Sequence, residues 1–114
     1  MSIEHRQSRR YAIELAAEVD IGGDVLVAST QNVSVGGVGL VVDREIPEGT
    51  RCGVTLFLTQ DGIEDPDEAP FEARAVVAWQ AERDTGTWLV GVRFAEVSPA
   101  GRAHLERFVS KLPT

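Results

Sequence analysis

Apolar residues recur at every second position in short runs separated by glycine and proline. This is the pattern any fold of this chain has to satisfy. From Tyr11 to Val19 the odd positions are Tyr11, Ile13, Leu15, Ala17 and Val19, while the even ones include Glu14 and Glu18. A period of two places alternate side chains on opposite faces of an extended chain, so this run reads as a half-buried strand. Gly22-Gly23-Asp24 reads as a turn that folds the next strand, Val25–Thr30, back as a hairpin. Gln31–Gly37 reads as a loop. Val38–Val42 is a short strand with Gly39 inside it, and an internal glycine marks a bulge or a bend. Ile46-Pro-Glu-Gly49 turns into a strand at Val54–Leu58.

Residues 60–70 hold Asp61, Glu64, Asp65, Asp67 and Glu68 with Pro66 and Pro70 and no basic residue. Carboxylates at that density repel, and proline removes backbone donors, so a solvated loop is expected rather than a metal site. Phe71, Ala73, Ala75, Val77 and Trp79 then alternate with Glu72, Arg74, Val76 and Ala78 in a long strand. Arg83-Asp-Thr-Gly86 turns it into a partner strand carrying Trp88, Val90, Val92 and Phe94. Only the last segment changes period. Ser98 caps it, Pro99 suits its first turn, and Leu105, Phe108, Val109 and Leu112 form one helical stripe.

Six short antiparallel strands and one amphipathic helix follow. A strongly twisted sheet of that size closes into a barrel, which removes its edges. The expected class is therefore all-β with one helix: a six-stranded antiparallel β-barrel over 11–95, flanked by a C-terminal helix over 98–112. A flexible basic arm precedes it over 1–10, and the whole is a single domain. At 114 residues and 43% apolar, the chain is sized for one such core.

Several classes of function fall away. No apolar run approaches the ~18–20 residues that span a bilayer, and no secretory signal is visible. Membrane insertion is not expected. The single Cys52 makes no internal disulfide and fits a reducing cytoplasm. One cysteine with only His5 and His104 builds no zinc site, and no metal or cofactor is expected. No nucleophile–base pair is visible, so no catalytic residues are assigned and an enzyme is the least favoured class. Glu4, Arg6, Arg9 and Arg10 leave residues 1–10 at +2, so the rest of the chain carries −9 within a total of −7. A body of that charge repels long polyanions, which speaks against DNA or RNA.

Two clusters lie outside the strand pattern. One is His5-Arg6-Gln7-Ser8-Arg9-Arg10; the other is Asn32-Val33-Ser34-Val35-Gly36-Gly37. A hairpin sets the start of the first strand beside the end of the second, so the clusters should meet at one end of the barrel. Arginine binds phosphate through a planar fork, stacks on bases and reads the guanine edge. Asn32 and Ser34 supply short hydrogen-bonding side chains, and Gly36-Gly37 permits positive φ and close approach. Taken singly, a basic arm is ordinarily solvated, and Asn-x-Ser-x-x-Gly is a good turn sequence. Together they suit a purine-containing phosphate.

The chain resembles the PilZ domain family. Arg6-Gln-Ser-Arg-Arg10 matches the family's R-x-x-x-R motif, and Asn32-Val-Ser34-Val-Gly-Gly37 matches its [D/N]-x-S-x-x-G motif. Val77-Ala-Trp79 and Val90-Gly91-Val-Arg93-Phe94 resemble its closing strands. The resemblance implies the same barrel with a C-terminal helix, of the PilZ split-barrel type. It also implies binding of cyclic di-GMP, a bacterial second messenger. Carried over by position, Arg6 and Arg10 would hold guanine edges and phosphates, Asn32 and Ser34 a guanine base, and Gly37 the open turn. His5, Gln7, Arg9, Gly36, Trp79 and Arg93 are secondary candidates.

Two positions depart from the family's usual residues. His5 stands where many members carry another arginine and, at an ordinary pKa near ~6.5, is only partly charged at neutral pH. Asn32 replaces the commoner Asp. Trp79 has two readings: core packing, by the parity of its strand, or a place at the barrel rim where it packs on a guanine. Arg93 faces outward, as a surface charge or a ligand contact. The implied function is that of a cytoplasmic receptor that orders its arm over the dinucleotide and signals, as an adaptor, to an unidentified protein partner. The alternative is a protein-interaction module that binds no nucleotide.

Overall fold

A computed structural model describes residues 9–59, 70–83 and 86–112. Six strands, β1 (Ala16–Ile21), β2 (Asp24–Val33), β3 (Gly37–Val42), β4 (Arg51–Leu56), β5 (Phe71–Glu82) and β6 (Trp88–Glu96), precede one helix, α1 (Pro99–Ser110). All neighbouring strands are antiparallel, and they close in the order β1-β2-β3-β6-β5-β4. The expected six-stranded closed barrel with a C-terminal helix is the fold observed. The reading of residues 60–69 as a loop, and the middle of the turn at 84–85, lie outside the described residues.

Alternation explains the interior. Ala17 and Val19, Leu26 and Ala28, Val38, Leu40 and Val42, Val54 and Leu56, and Ala73, Ala75 and Val77 are all buried. Cys52 belongs to this core, where burial pushes its thiol pKa up. Gly22 and Gly23 take φ of 62° and 97°, which lets the β1–β2 hairpin turn without Cβ strain. The Ser98 hydroxyl accepts from the Gly101 amide at 2.9 Å, capping α1, whose Leu105, Phe108 and Val109 are buried.

The first strand differs from the alternation reading. The regular ladder begins at Ala16, not Tyr11. Residues 11–15 still follow β2, but through other bonds. Tyr11 and Val33 exchange backbone bonds at 2.8 and 2.9 Å. Between them, the buried Thr30 keeps one ladder bond, from its amide to the Leu15 carbonyl at 2.9 Å, and adds its side chain. Its hydroxyl donates to the Ile13 carbonyl at 2.6 Å and accepts from the Leu15 amide at 2.8 Å. The second strand also runs further than expected, so Asn32 lies on β2 rather than in a loop.

Thr30→Val keeps the shape and removes both bonds. It leaves a buried amide unpaired and should cost about 1–3 kcal/mol in urea denaturation. Thr30→Ser should recover part of that loss. An unchanged midpoint for Thr30→Val would show that the hydroxyl does not hold this segment.

Candidate functional site

Three strand irregularities decide which side chains reach the outer surface. Between Thr30 and Asn32, β2 carries one residue more than β3, since Thr30 pairs with Leu40 and Asn32 with Gly39. Between Val77 and Trp79, β5 carries one more than β6, since Val77 pairs with Val92 and Trp79 with Gly91. A third lies between Arg74 and Ala75, where β6 holds the extra residue. An inserted residue reverses the parity of everything beyond it. Strict alternation from Thr30 would turn Asn32 into the core; with one residue extra at Gln31, Asn32 faces out and Val33 returns inside. Strict alternation from Val77 would turn Trp79 inward; with one residue extra at Ala78, Trp79 faces out. The core-packing reading of Trp79 therefore does not hold: its indole is 37% exposed on the outer face.

The registers align these positions in one row. Asn32 pairs with Gly39, Gly39 with Gly91, and Gly91 with Trp79, across β2, β3, β6 and β5. Beside it lies a second row, in which Gly37 pairs with Arg93 and Arg93 with Val76. Arg93 is exposed there, on the same face. The Tyr11–Val33 bridge sets the preceding segment against this end of the sheet. Arg10 donates from Nη1 to Asn32 Oδ1, joining two residues 22 apart in the chain. The guanidinium of Arg9 stands 5.9 Å from the centre of the Tyr11 ring, within cation–π reach. His5, Arg6 and Gln7 lie outside the described residues.

Ser34 is placed differently from the other candidates. It is buried, and its hydroxyl donates to the Gly37 carbonyl at 3.0 Å. The same oxygen accepts from the Gly36 and Gly37 amides at 3.2 and 3.1 Å. One donor and two lone pairs are all that a hydroxyl offers. Ser34 is thus committed to holding its own turn. The expectation of positive φ at Gly36-Gly37 is corrected: positive-φ glycines occur at 22, 23, 49 and 86. Gly37 is required for proximity instead. A Cβ there would lie 2.3 Å from the Val92 carbonyl oxygen, so only glycine lets β3 and β6 meet. Gly36 contributes its carbonyl, which accepts from the Phe94 amide at 3.0 Å.

Sequence reading passed over Gly39 and Gly91 as site residues. Their signal was an internal glycine in each of two apolar strands. One groove of about 790 Å³ lies elsewhere on the barrel and is lined by residues including Asp20, Thr55, Glu72, Arg74, Glu96 and Arg102. That volume is mixed in charge and includes none of Arg10, Asn32, Ser34 or Trp79. Among the described residues no group of three His, Cys, Asp or Glu is placed to hold a metal ion. No described helix is long and apolar enough to cross a membrane.

The sequence profile of the PilZ domain matches residues 4–111, which takes in both motifs and every strand. The chain belongs to the PilZ domain family. Solved structures share the fold. The Bacillus subtilis inhibitor of motility MotI/DgrA superposes with a TM-score of 0.75 at 17% identity, over 96% of this chain and 54% of that one. Escherichia coli YcgR in complex with c-di-GMP gives 0.72 at 20% identity, over 95% and 46%. The isolated PilZ domain of YcgR with c-di-GMP gives 0.72 at 20% identity, over 96% and 92%. This PilZ chain spans about half the length of MotI/DgrA and of the longer YcgR chain. No curated relative matches it by sequence.

The packing at Gly37 makes a testable claim about this PilZ domain. Gly37→Ala forces a methyl against a backbone oxygen that has no rotamer by which to retreat. It should lower stability by about 1–3 kcal/mol, read as a fall in thermal midpoint. A midpoint within error of the parent would show that β3 and β6 have slack at this position.

Proposed function

We propose that this chain is a non-enzymatic, cytoplasmic cyclic di-GMP receptor. It would close its N-terminal arginines over the dinucleotide and present the resulting surface to a protein partner. The observation that carries this reading is the contact between Arg10 and Asn32. One residue from each family motif, 22 positions apart, is brought into a direct bond on the outer face of the barrel. Arg6 and Arg10 would grip phosphates and guanine edges, since guanidinium binds both in forked geometry. Asn32 would exchange its bond from Arg10 for one with a guanine edge. Ser34 and Gly37 would act by shaping the turn that carries Asn32. Trp79 supplies an aromatic surface on the same row, and Arg93 a further cation beside it. Fixing each arm residue costs roughly 1–2 kcal/mol, so the phosphate and base contacts must exceed several such costs. The net charge of −7 disfavours long polyanions while leaving room for one small dianion at the arginines.

A second reading, an interaction module without nucleotide, is favoured by one observation. Ser34 is already saturated, and Asn32 already has a partner in Arg10. Calorimetry with cyclic di-GMP separates the two. The receptor reading expects saturable heat. It also expects Arg6→Ala and Arg10→Ala each to weaken binding by about 2–5 kcal/mol, as for truncation of one partner of a buried charged contact. The thermal midpoint should stay at the parent's value. No heat at high micromolar ligand overturns the receptor reading and leaves the interaction module.

A further inference from the structure

We propose that Gly39 and Gly91 are positioning residues that recess the Asn32 amide and the Trp79 indole into one continuous ledge, on which one guanine of the dinucleotide stacks flat. This rests on the receptor reading and adds the pose of the base.

The geometry is specific at both glycines. A Cβ on Gly91 would lie 2.3 Å from indole Cε2, 2.4 Å from Nε1 and 2.7 Å from Cζ2. Three ring atoms at that range put the side of the indole bearing the ring fusion directly over the Gly91 backbone. A Cβ on Gly39 would lie 2.9 Å from Asn32 Nδ2 and 3.1 Å from Oδ1, so the amide covers Gly39 in the same way. Gly39 and Gly91 are cross-strand partners, and paired Cα atoms are about 4.5–5.5 Å apart. The amide and the indole therefore lie side by side. Arg10 extends the row through its bond to Oδ1. Three planar groups, guanidinium, amide and indole, follow one another along a floor without side chains of its own.

Each of these groups suits the face of a base. Indole and guanidinium both stack on nucleobases, and stacking tolerates any base. The ledge supplies affinity, while the hydrogen-bonding edges of Asn32 and Arg10 supply the preference for guanine. An alanine at 39 or 91 would lift one planar group off the sheet and break the ledge. The glycines thus act through their neighbours and touch no ligand themselves.

The test uses Trp88→Phe as the parent, which leaves Trp79 as the only tryptophan. Cyclic di-GMP is titrated while Trp79 emission and heat are followed. Saturable change in the emission is expected. Trp79→Ala and Gly91→Ala should each weaken binding at least about tenfold, the scale of a lost base–aromatic contact. In a Trp79→Ala background, Gly91→Ala should weaken it no further. Gly39→Ala should behave likewise against Asn32→Ala. Binding unchanged in Trp79→Ala overturns the ledge, and so does an equal loss from Gly91→Ala with and without Trp79. If Gly91→Ala does not fold, the Trp79→Ala result decides by itself. A chain that binds while Trp79→Ala binds equally well loses only this inference; a chain that gives no heat at all loses the receptor reading with it.

Discussion

The outer face of this barrel depends on two inserted residues, Gln31 and Ala78. A strand with strict alternation spends half its side chains on the core. Here the core is already filled by Thr30 and Val33 on β2 and by Ala75 and Val77 on β5. Each insertion lets the strand return to its interior parity one step later while showing an extra side chain outward. The two insertions fall at opposite ends of one four-strand row, so Asn32 and Trp79 emerge on the same surface facing a common pair of glycines. Were Gln31 or Ala78 instead paired as an ordinary strand residue, a polar amide or an indole would be driven into a core of valines and leucines. Burying an unpaired amide costs about 1–3 kcal/mol on mutational scales, so the register is held by penalty as well as by packing.

Backbone proximity is the second constraint, and it serves the first. The turn from Ser34 to Gly37 is closed by a single hydroxyl that satisfies three backbone groups, and it is stitched to β6 by the bond from the Phe94 amide to Gly36. Gly37 then passes the Val92 carbonyl at a distance no side chain permits. The Asn-x-Ser-x-x-Gly segment is thus a construction that fixes where β3 starts. Because β3 is fixed, Gly39 lies under Asn32, and the orientation of that amide follows from a serine that no ligand needs to touch. The motif carries one half-buried polar side chain, Asn32, and several residues that fix where it lies.

Most of the architecture was legible, because a period of two runs through long stretches of β1, β2 and β5 and the switch to the helical stripe at Leu105 is abrupt. The meeting of the two clusters was legible too, since hairpin topology alone brings position 10 near position 32. What escaped was local. Counting alternate positions from Phe71 puts Trp79 inside, and nothing in Val76-Val77-Ala78 announces that one residue is skipped. The start of β1 escaped because a threonine side chain at 30 takes the backbone bonds that a ladder would have used, and a hydroxyl in a β-rich run looks like any other strand residue. The glycines were visible as letters, but their reason was not. Sequence invites an argument from φ, whereas Gly37, Gly39 and Gly91 are required by what sits above them.

The neutral residue at 32 bears on how such a face works. In this structure the amide oxygen of Asn32 is held by Arg10. A carboxylate at that position would hold the same guanidinium in a charge-assisted pair, roughly twice as strong as a neutral bond. Any ligand that recruits Arg10 must first release it. Asparagine lowers that release cost, and under the receptor reading it would also lower what the side chain could return to a guanine edge, since a neutral amide makes weaker bonds than a carboxylate. The two effects oppose each other in affinity but not in rate. A weaker internal bond opens more often, so under the receptor reading the arginine would meet an arriving phosphate without waiting for an ion pair to break. Under the receptor reading, Asp at 32 would strengthen both the ligand-free contact with Arg10 and the contact with a guanine edge, and the balance between them rests on the side chain at 32, which both share.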